Sequence, residues 1–264
     1  MSVSGRVHSI QSMGTLDGPG VRFVVFLQGC NLRCGCCHNP DTWDFNGGTE
    51  VTTEEVFAKI KRLKNYFGES GGVTVSGGEP LMRPDIYELV AYAASKGLRP
   101  VFGTNGMLIT KEVAQKLKDA GAMAMGISLD SLDEAKHNEF RGHPEAFART
   151  VQGMKNCTEV GLPFQIHTTI MDWNKHEILD IIDFAVEIGA MAEYIFFLIP
   201  VGRGVYIEET AVEVMEYENL LRSIMEKQKE VPILIEMFGY LLGGFLTLNN
   251  CTIYPCSQTG RCRN

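Results

Sequence analysis

The chain has 264 residues, 45% of them hydrophobic and 21% charged, with a formal net charge of −8. That length suits one domain with a sizeable core, since α/β barrels of this size are commonly undivided, and the acidic balance excludes the basic footprint of a nucleic-acid binder. The opening MSVSGRVHSIQSMG lacks the apolar core of a secretory signal, and the longest apolar candidate for the ~18 residues of a membrane span, residues 233–248, is broken by Glu236, Gly239, Gly243 and Gly244.

Residues 1–19 are polar and glycine-rich and end in Asp17-Gly18-Pro19-Gly20, a turn by composition. Residues 21–27 (VRFVVFL) are a β-branched and aromatic run, the pattern of a strand buried on both faces. This strand delivers a cysteine-bearing stretch at its C-terminal end, where α/β barrels keep their chemistry. Thr53 is expected to cap a helix carrying Val56, Ile60, Leu63 and Phe67 at helical spacing. Residues 73–76 form the second strand, followed by Gly77-Gly78-Glu79-Pro80, and Pro84 opens a helix closed by Gly97. Strand three, residues 100–102, ends in Thr104-Asn105-Gly106, and Thr110 caps the next helix. Strand four covers residues 123–129, and a helix over 145–160 stops at Gly161. Strand five spans 164–170, a helix 175–188 is stopped by glycine, and strand six spans 194–199. Six parallel βα units make a partial, open (β/α)6 TIM-like barrel, although a doubly wound sheet has the same periodicity. The core barrel is assigned to residues 1–204, and residues 205–264 to a C-terminal helix and cysteine-containing tail packed on it.

Eight cysteines without a secretory signal point to metal or redox chemistry in a reducing, cytoplasmic compartment. In GCNLRCGCCHNPDTW, residues 29–43, Cys30, Cys34 and Cys37 stand at C-x3-C-x2-C spacing with a further thiol at Cys36. Three thiolates on one loop can bind three corners of a [4Fe–4S] cube and leave the fourth iron open. Two rivals are a closed Cys3His zinc site with His38, and a redox pair of thiols.

Other strand ends carry candidate residues. Gly77, Gly78 and Glu79 are either an ordinary βα turn or a place where a ligand lies against the main chain. Ser128 and Asp130 are placed to meet a ribose; capping of the next helix is the alternative, a task open equally to Ser131 or Asp133. Arg141 can pair with a carboxylate or be a solvated surface arginine. His167 shares one strand face with Gln165 and Thr169, and is a lumen residue or a satisfied core histidine. Cys157 reads as a small buried hydrophobe.

Cysteines at C-x3-C-x2-C spacing in the first loop of an α/β chain resemble the signature of the radical S-adenosylmethionine (SAM) enzymes, with Cys36 in place of the usual aromatic residue. The first 82 residues, with DGPGVRF, FLQGCNLRC, CHNPDTW and SGGEPLM, resemble the pyruvate formate-lyase activating enzymes. Residues 104–204, with SLDSLDEAKHNEFRGHPEAF, HTTIMDWNKHE and FFLIPVGRG, resemble the SPASM-type radical SAM maturases of peptides and heme. The resemblance implies a radical SAM barrel, a [4Fe–4S] cluster on Cys30, Cys34 and Cys37, and SAM chelating the fourth iron. Gly77, Gly78 and Glu79 then meet the SAM amino group, Asn105, Ser128, Asp130, Arg141 and His167 belong to the cofactor pocket, and Ile199 and Gly202 contact adenine. Gly103 stands where the activating enzymes carry an acidic residue. Cys251, Cys256 and Cys262 in the last fourteen residues are candidates for an auxiliary cluster or zinc, or are free thiols.

The leading expectation is a glycyl-radical-enzyme activating protein, reduced by flavodoxin or ferredoxin and acting on a glycine of a protein partner. One alternative is a radical SAM maturase of a peptide or tetrapyrrole with an auxiliary cluster. A second is a zinc-bound structural or interaction module.

Overall fold

The computed structural model describes residues 3–15, 17, 20–198, 202–239, 247–248 and 251–255. Strands β1 (Ser4–Gly14), β2 (Arg22–Leu27) and β3 (Thr49–Thr52) are followed by helix α1 (Thr53–Leu63). Then come β4 (Gly72–Ser76), α2 (Ile86–Ser95), β5 (Pro100–Thr104), α3 (Lys111–Asp119) and β6 (Ala124–Ser128). Helices α4 (Glu134–Arg141) and α5 (Ala146–Val160) precede β7 (Phe164–Ile170), α6 (Ile178–Ile188) and β8 (Ala192–Phe197). Helix α7 (Val214–Gln228) leads to β9 (Leu234–Gly239), β10 (Thr247–Leu248) and β11 (Cys251–Pro255).

One sheet runs in the order β10-β11-β9-β8-β7-β6-β5-β4-β2-β1-β3. The six parallel strands β2, β4, β5, β6, β7 and β8 form the expected open (β/α)6 barrel. Along them side chains alternate between two environments. On β6, Met125 and Ile127 join the apolar layer under the helices with Phe102, Leu117 and Met154. Gly126 and Ser128 point the other way, into the lumen. The fully buried Arg22 lies near the N-terminal ends of the strands, donating to Thr74 Oγ1 (2.6 Å) and to the Val73 and Arg99 carbonyls (2.8 and 2.5 Å). Such bonds offset the cost of burying its charge.

Local chemistry explains where elements begin. Thr52, not Thr53, caps α1, because Glu55 lies three residues after it: the Glu55 N–H donates to Thr52 Oγ1 (3.2 Å) and the Thr52 N–H to Glu55 Oε2 (2.7 Å), a reciprocal capping box. Helix α2 starts two residues after Pro84, with Asp85 at its N-cap position. Thr110 caps α3 as expected, accepting from the Val113 N–H at 3.1 Å, and Gly161 ends α5 at φ 67°, where glycine adopts the left-handed region without strain.

Two regions depart from the sequence reading. The polar N-terminus is not merely a turn: β1 pairs antiparallel with β2 and β3, an edge arrangement that needs few buried side chains. The sheet also continues beyond β8, because β9 pairs with it in parallel and β11 with β9. Among the described residues no helix is long and apolar enough to cross a membrane.

Candidate active site

The cysteine loop leaves the end of β2 and is tied down by backbone bonds from distant elements. Gly35 N–H donates to the Phe140 carbonyl (2.9 Å), Glu79 N–H to the Gly29 carbonyl (2.8 Å), and Arg203 N–H to the Cys37 carbonyl (2.8 Å). Gln28 Nε2 donates to the carbonyls of Asp41 and Asp44 at 2.6 and 2.7 Å. Cys30, Cys34, Cys36 and Cys37 all face one cavity of about 300 Å³ at the C-terminal end of the barrel.

The four thiols are not equivalent. Cys30 Sγ accepts from the Leu32 N–H at 3.4 Å, and Cys34 Sγ lies 3.7 Å from Arg141 Nη1. At Cys37, hydrogen bonding from the Asn39 backbone and the Trp43 side chain works against the upward push of burial on the thiol. Cys36 has no such donor among its interactions, and burial pushes its thiol up to about 12. Burial likewise raises Cys30 to about 12 and shifts Cys37 upward, which favours the protonated thiol at these positions until a metal displaces the proton. N–H donors to sulfur stabilise metal-bound thiolates. The three sulfurs that receive them are those expected to hold a [4Fe–4S] cluster, and the donor set fits that group. Among the described residues no three His, Cys, Asp or Glu side chains group as ligands of a single ion. The expected Cys3His zinc alternative therefore lacks its geometry, whereas a cube takes each thiolate on a different iron.

Gly77 and Gly78 line the cavity with φ of 66° and 51°. A Cβ on Gly78 would lie 2.3 Å from the Gly29 carbonyl oxygen, so this turn is restricted to glycine. Glu79 is placed differently from its expected role: it is absent from the cavity wall and 2% exposed. Its Oε1 accepts from Leu81 N–H (3.0 Å) and Thr104 Oγ1 (2.8 Å), and its Oε2 from Asn105 N–H (2.8 Å). Burial raises the carboxyl above its ordinary range while these donors pull it back. Glu79 thus braces the turn after β4 against the end of β5, and its oxygens are already engaged.

Ser128, Asn105, Arg141 and His167 do line the cavity. Asn105 is aimed by two bonds, from Met107 N–H to Oδ1 (3.0 Å) and from Nδ2 to Asn31 Oδ1 (3.2 Å). Asp130 does not line the cavity and is fully buried behind Arg141, away from the ribose-facing place expected from the sequence. Its Oδ2 accepts from Arg141 Nε (2.7 Å) and Nη2 (2.6 Å), and its Oδ1 from the Thr169 N–H (3.1 Å). Burial opposes the charge on Arg141, and Asp130 outweighs it, holding the guanidinium above its ordinary pKa. Helix α4, which carries Arg141, had no range in the sequence reading, but Asp133, one of the two further cap residues named there, caps it by accepting from the Ala135 and Lys136 N–H groups (2.9 and 3.2 Å). Burial, with Arg141 nearby, pushes His167 down to about 4. Its neutral ring stacks on Tyr194 (5.3 Å, 7°) and meets Gln165 Nε2 at 2.7 Å.

Gly202 supports the cysteine loop instead of the cavity: at φ 57°, a Cβ there would sit 2.2 Å from the His38 carbonyl oxygen. Ile199, Cys256 and Cys262 lie outside the described residues, and of Cys251 only the backbone, in β11, is described. Ser76, Thr104, Thr169 and Phe196 also line the wall. Thr169 shares the face of His167 noted in the sequence, whereas Ser76, Thr104 and Phe196 were not singled out, their only signal being an inward register on a strand.

The sequence pattern of the radical SAM superfamily matches residues 24–185. The chain is 39% identical over 210 residues to the AdoMet-dependent heme synthase of Methanosarcina barkeri, covering 78% of this chain and 57% of that protein. It is 52% identical over 106 residues to the pyruvate formate-lyase-activating enzyme of Clostridium pasteurianum, covering 39% of this chain and 44% of the relative. Streptococcus suis SuiB bound to precursor peptide SuiA shares the fold, with a TM-score of 0.68 and 19% identity over 82% of this chain and 48% of SuiB. The chain spans about half the length of the curated relatives it matches. With the superfamily pattern over most of the barrel and a thiol set that fits its cluster, the chain belongs to the radical SAM superfamily, which uses a [4Fe–4S] cluster and S-adenosylmethionine.

Proposed function

We propose that this protein is a radical SAM maturase acting on a tetrapyrrole, with Cys30, Cys34 and Cys37 holding the cluster. When bound and reduced, the cluster supplies the electron that cleaves SAM and releases a 5′-deoxyadenosyl radical. Gly77 and Gly78 present backbone to the SAM amino group, Arg141 pairs with its carboxylate, and Asn105, Ser128 and His167 flank the nucleoside. Glu79 and Asp130 hold this pocket in shape without entering it. A flavodoxin or ferredoxin supplies the electron, in a cytoplasmic setting.

The observation that favours this substrate class is the pairing of β9 with β8, Ala192 opposite Leu234 through Phe196 opposite Phe238. A folded partner delivering a glycine loop needs an open side to the barrel, and the free edge of the sixth barrel strand is the natural entry. Here that edge is occupied. The similarity to heme synthases also runs through the barrel, and a further relative is the Fe-coproporphyrin III synthase of Methanosarcina barkeri, 36% identical over 202 residues.

The activating-enzyme reading is kept as the second, because the similarity to the Clostridium pasteurianum enzyme, though it covers 106 residues, reaches 52% identity. Anaerobic incubation with SAM, dithionite and either iron-coproporphyrin III or a glycyl radical enzyme separates the two. The lead reading expects 5′-deoxyadenosine formation coupled to a change in porphyrin mass. A persistent glycyl doublet in electron paramagnetic resonance, with unaltered porphyrin, overturns it.

A further inference from the structure

Trp43 lines the cavity, whereas Arg33 and Arg203, which lie over its ring, do not. Their guanidinium carbons stand 4.8 and 5.2 Å from the ring centroid, a favourable cation–π arrangement. Both arginines are tied to the loop that bears the thiols. Arg33 Nη1 donates to the Cys30 and Leu32 carbonyls (3.0 and 2.7 Å), and the Arg203 backbone N–H donates to the Cys37 carbonyl (2.8 Å). Among the described residues neither guanidinium has a carboxylate partner. The acids of the same loop are engaged elsewhere: Asp41 Oδ2 meets His8 Nε2, and Asp44 Oδ1 accepts from the Asn46 N–H, both at 2.8 Å. Apolar surface adjoins these cations. Phe45 is 51% exposed and its ring covers Gly29, where a Cβ would lie 2.5 Å from Cδ1. Val205 and Tyr206, 52% and 80% exposed, stand two and three residues after Arg203.

We propose that Arg33 and Arg203, with Phe45 and Tyr206 beside them, form the docking surface for an acidic one-electron carrier protein. A chain of net charge −8 repels such a partner on average, so unpaired cations beside the thiol loop steer it to this face. Electron-transfer encounters use small interfaces, in which charge complementarity governs the rate of meeting more than the affinity. Each arginine is one hydrogen bond from a cysteine expected to hold the cluster, so a carrier seated here has a short path to it. One electron passes: the carrier is oxidised by one, the cluster is reduced by one, and no bond forms or breaks. The inference rests on the proposed reading that a protein carrier supplies the electron and on Cys30 and Cys37 as cluster ligands.

The test is stopped-flow reduction of reconstituted full-length protein by prereduced flavodoxin and, separately, ferredoxin, followed at the cluster absorbance. Photoreduced deazaflavin serves as a small donor that needs no docking face. Arg203→Glu removes no side-chain hydrogen bond among the described residues, since that guanidinium makes none. It is expected to slow carrier-driven reduction about tenfold at low ionic strength, with the difference fading in high salt and reduction by deazaflavin unchanged. Arg33→Gln should act in the same direction by less. Should Arg203→Glu fail to load iron, Tyr206→Glu at its exposed position carries the same expectation. An unchanged carrier-driven rate in a loaded variant overturns the proposal, as does equal slowing with deazaflavin. Wild-type protein that neither carrier reduces also overturns it. Weaker binding of iron-coproporphyrin III with unchanged carrier-driven rates would assign the arginines to the substrate instead. Formation of 5′-deoxyadenosine by wild-type protein with deazaflavin alone tests the reductive cleavage of SAM separately.

Discussion

Asp130 grips Arg141 from behind the cavity wall: Oδ2 accepts from Nη2 at 2.6 Å and from Nε at 2.7 Å, while the Asp130 side chain has no exposure to solvent. The pair fixes a guanidinium beside Cys34 and leaves its other edge facing the cavity. Breaking one partner of a buried pair strands the other charge, at a cost of about 3–5 kcal/mol. Asp130→Asn should destabilise the apo-protein on that scale in denaturant unfolding and weaken SAM binding. Replacing both residues, Asp130→Leu with Arg141→Met, should recover much of the stability and none of the binding. Wild-type stability in Asp130→Asn contradicts this account.

Single alanine replacements of Cys30, Cys34 and Cys37 should each abolish cluster assembly, read as lost iron and lost brown colour, while Cys36→Ala loads normally. The expectation follows from the N–H donors that reach the first three sulfurs. Iron loss in Cys36→Ala with retention in one of the others reverses the assignment.

Glu193 on β8 is fully buried, accepts from Thr168 Oγ1 at 2.7 Å, and has no partner for Oε2. Burial raises its carboxyl well above the ordinary value of 4.5. The folded state thus holds a proton that the unfolded state releases, and stability falls as pH rises above the unfolded value. The slope contributed by this group is about 1.4 kcal/mol per pH unit until Glu193 ionises in the fold. Glu193→Gln should remove that slope, so its advantage over wild type in urea unfolding grows between pH 5 and 7.

His137 and His167 are both pushed down to about 4, chiefly by burial. Of the six histidines, these two should stay neutral between pH 5 and 8 when followed by 15N NMR. Because the unfolded chain takes up protons near 6.5 and the folded one only near 4, both cost stability as pH falls through that interval. Titration of either imidazole near 6.5 in the folded protein refutes the prediction.

A methyl group on Gly126 would lie 2.5 Å from the His167 Cε1. Gly126→Ala should push the ring toward the cavity, costing about 1–3 kcal/mol by overpacking. SAM titration calorimetry should show weaker binding than for wild type, with iron content unchanged; undiminished affinity counts against the role given to His167.

The barrel was legible because its strands are rich in β-branched and aromatic residues, nearly continuous over residues 21–27 and interleaved with polar ones over 164–170, and glycines mark the helix ends. Strand β1 was not, since Ser4–Gly14 is mostly polar and gains its order from pairing with β2. Helix α4 was hidden for a related reason, as His137 is its only buried residue. In the site, the sequence showed that Glu79 and Asp130 stand at strand ends. It could not show that neighbouring N–H groups already occupy their oxygens, which depends on chain segments far away in sequence.

The bond from Arg203 N–H to the Cys37 carbonyl, with Gly202 seated against His38, joins the loop after the first barrel strand to the segment after the last. The two rims of an open barrel are thereby latched at the thiol loop. On a ribosome the cysteines emerge long before their latch, so a nascent chain presents them without the support that shapes the site. A chain that ended before residue 202 would leave the four thiols of the loop without this latch.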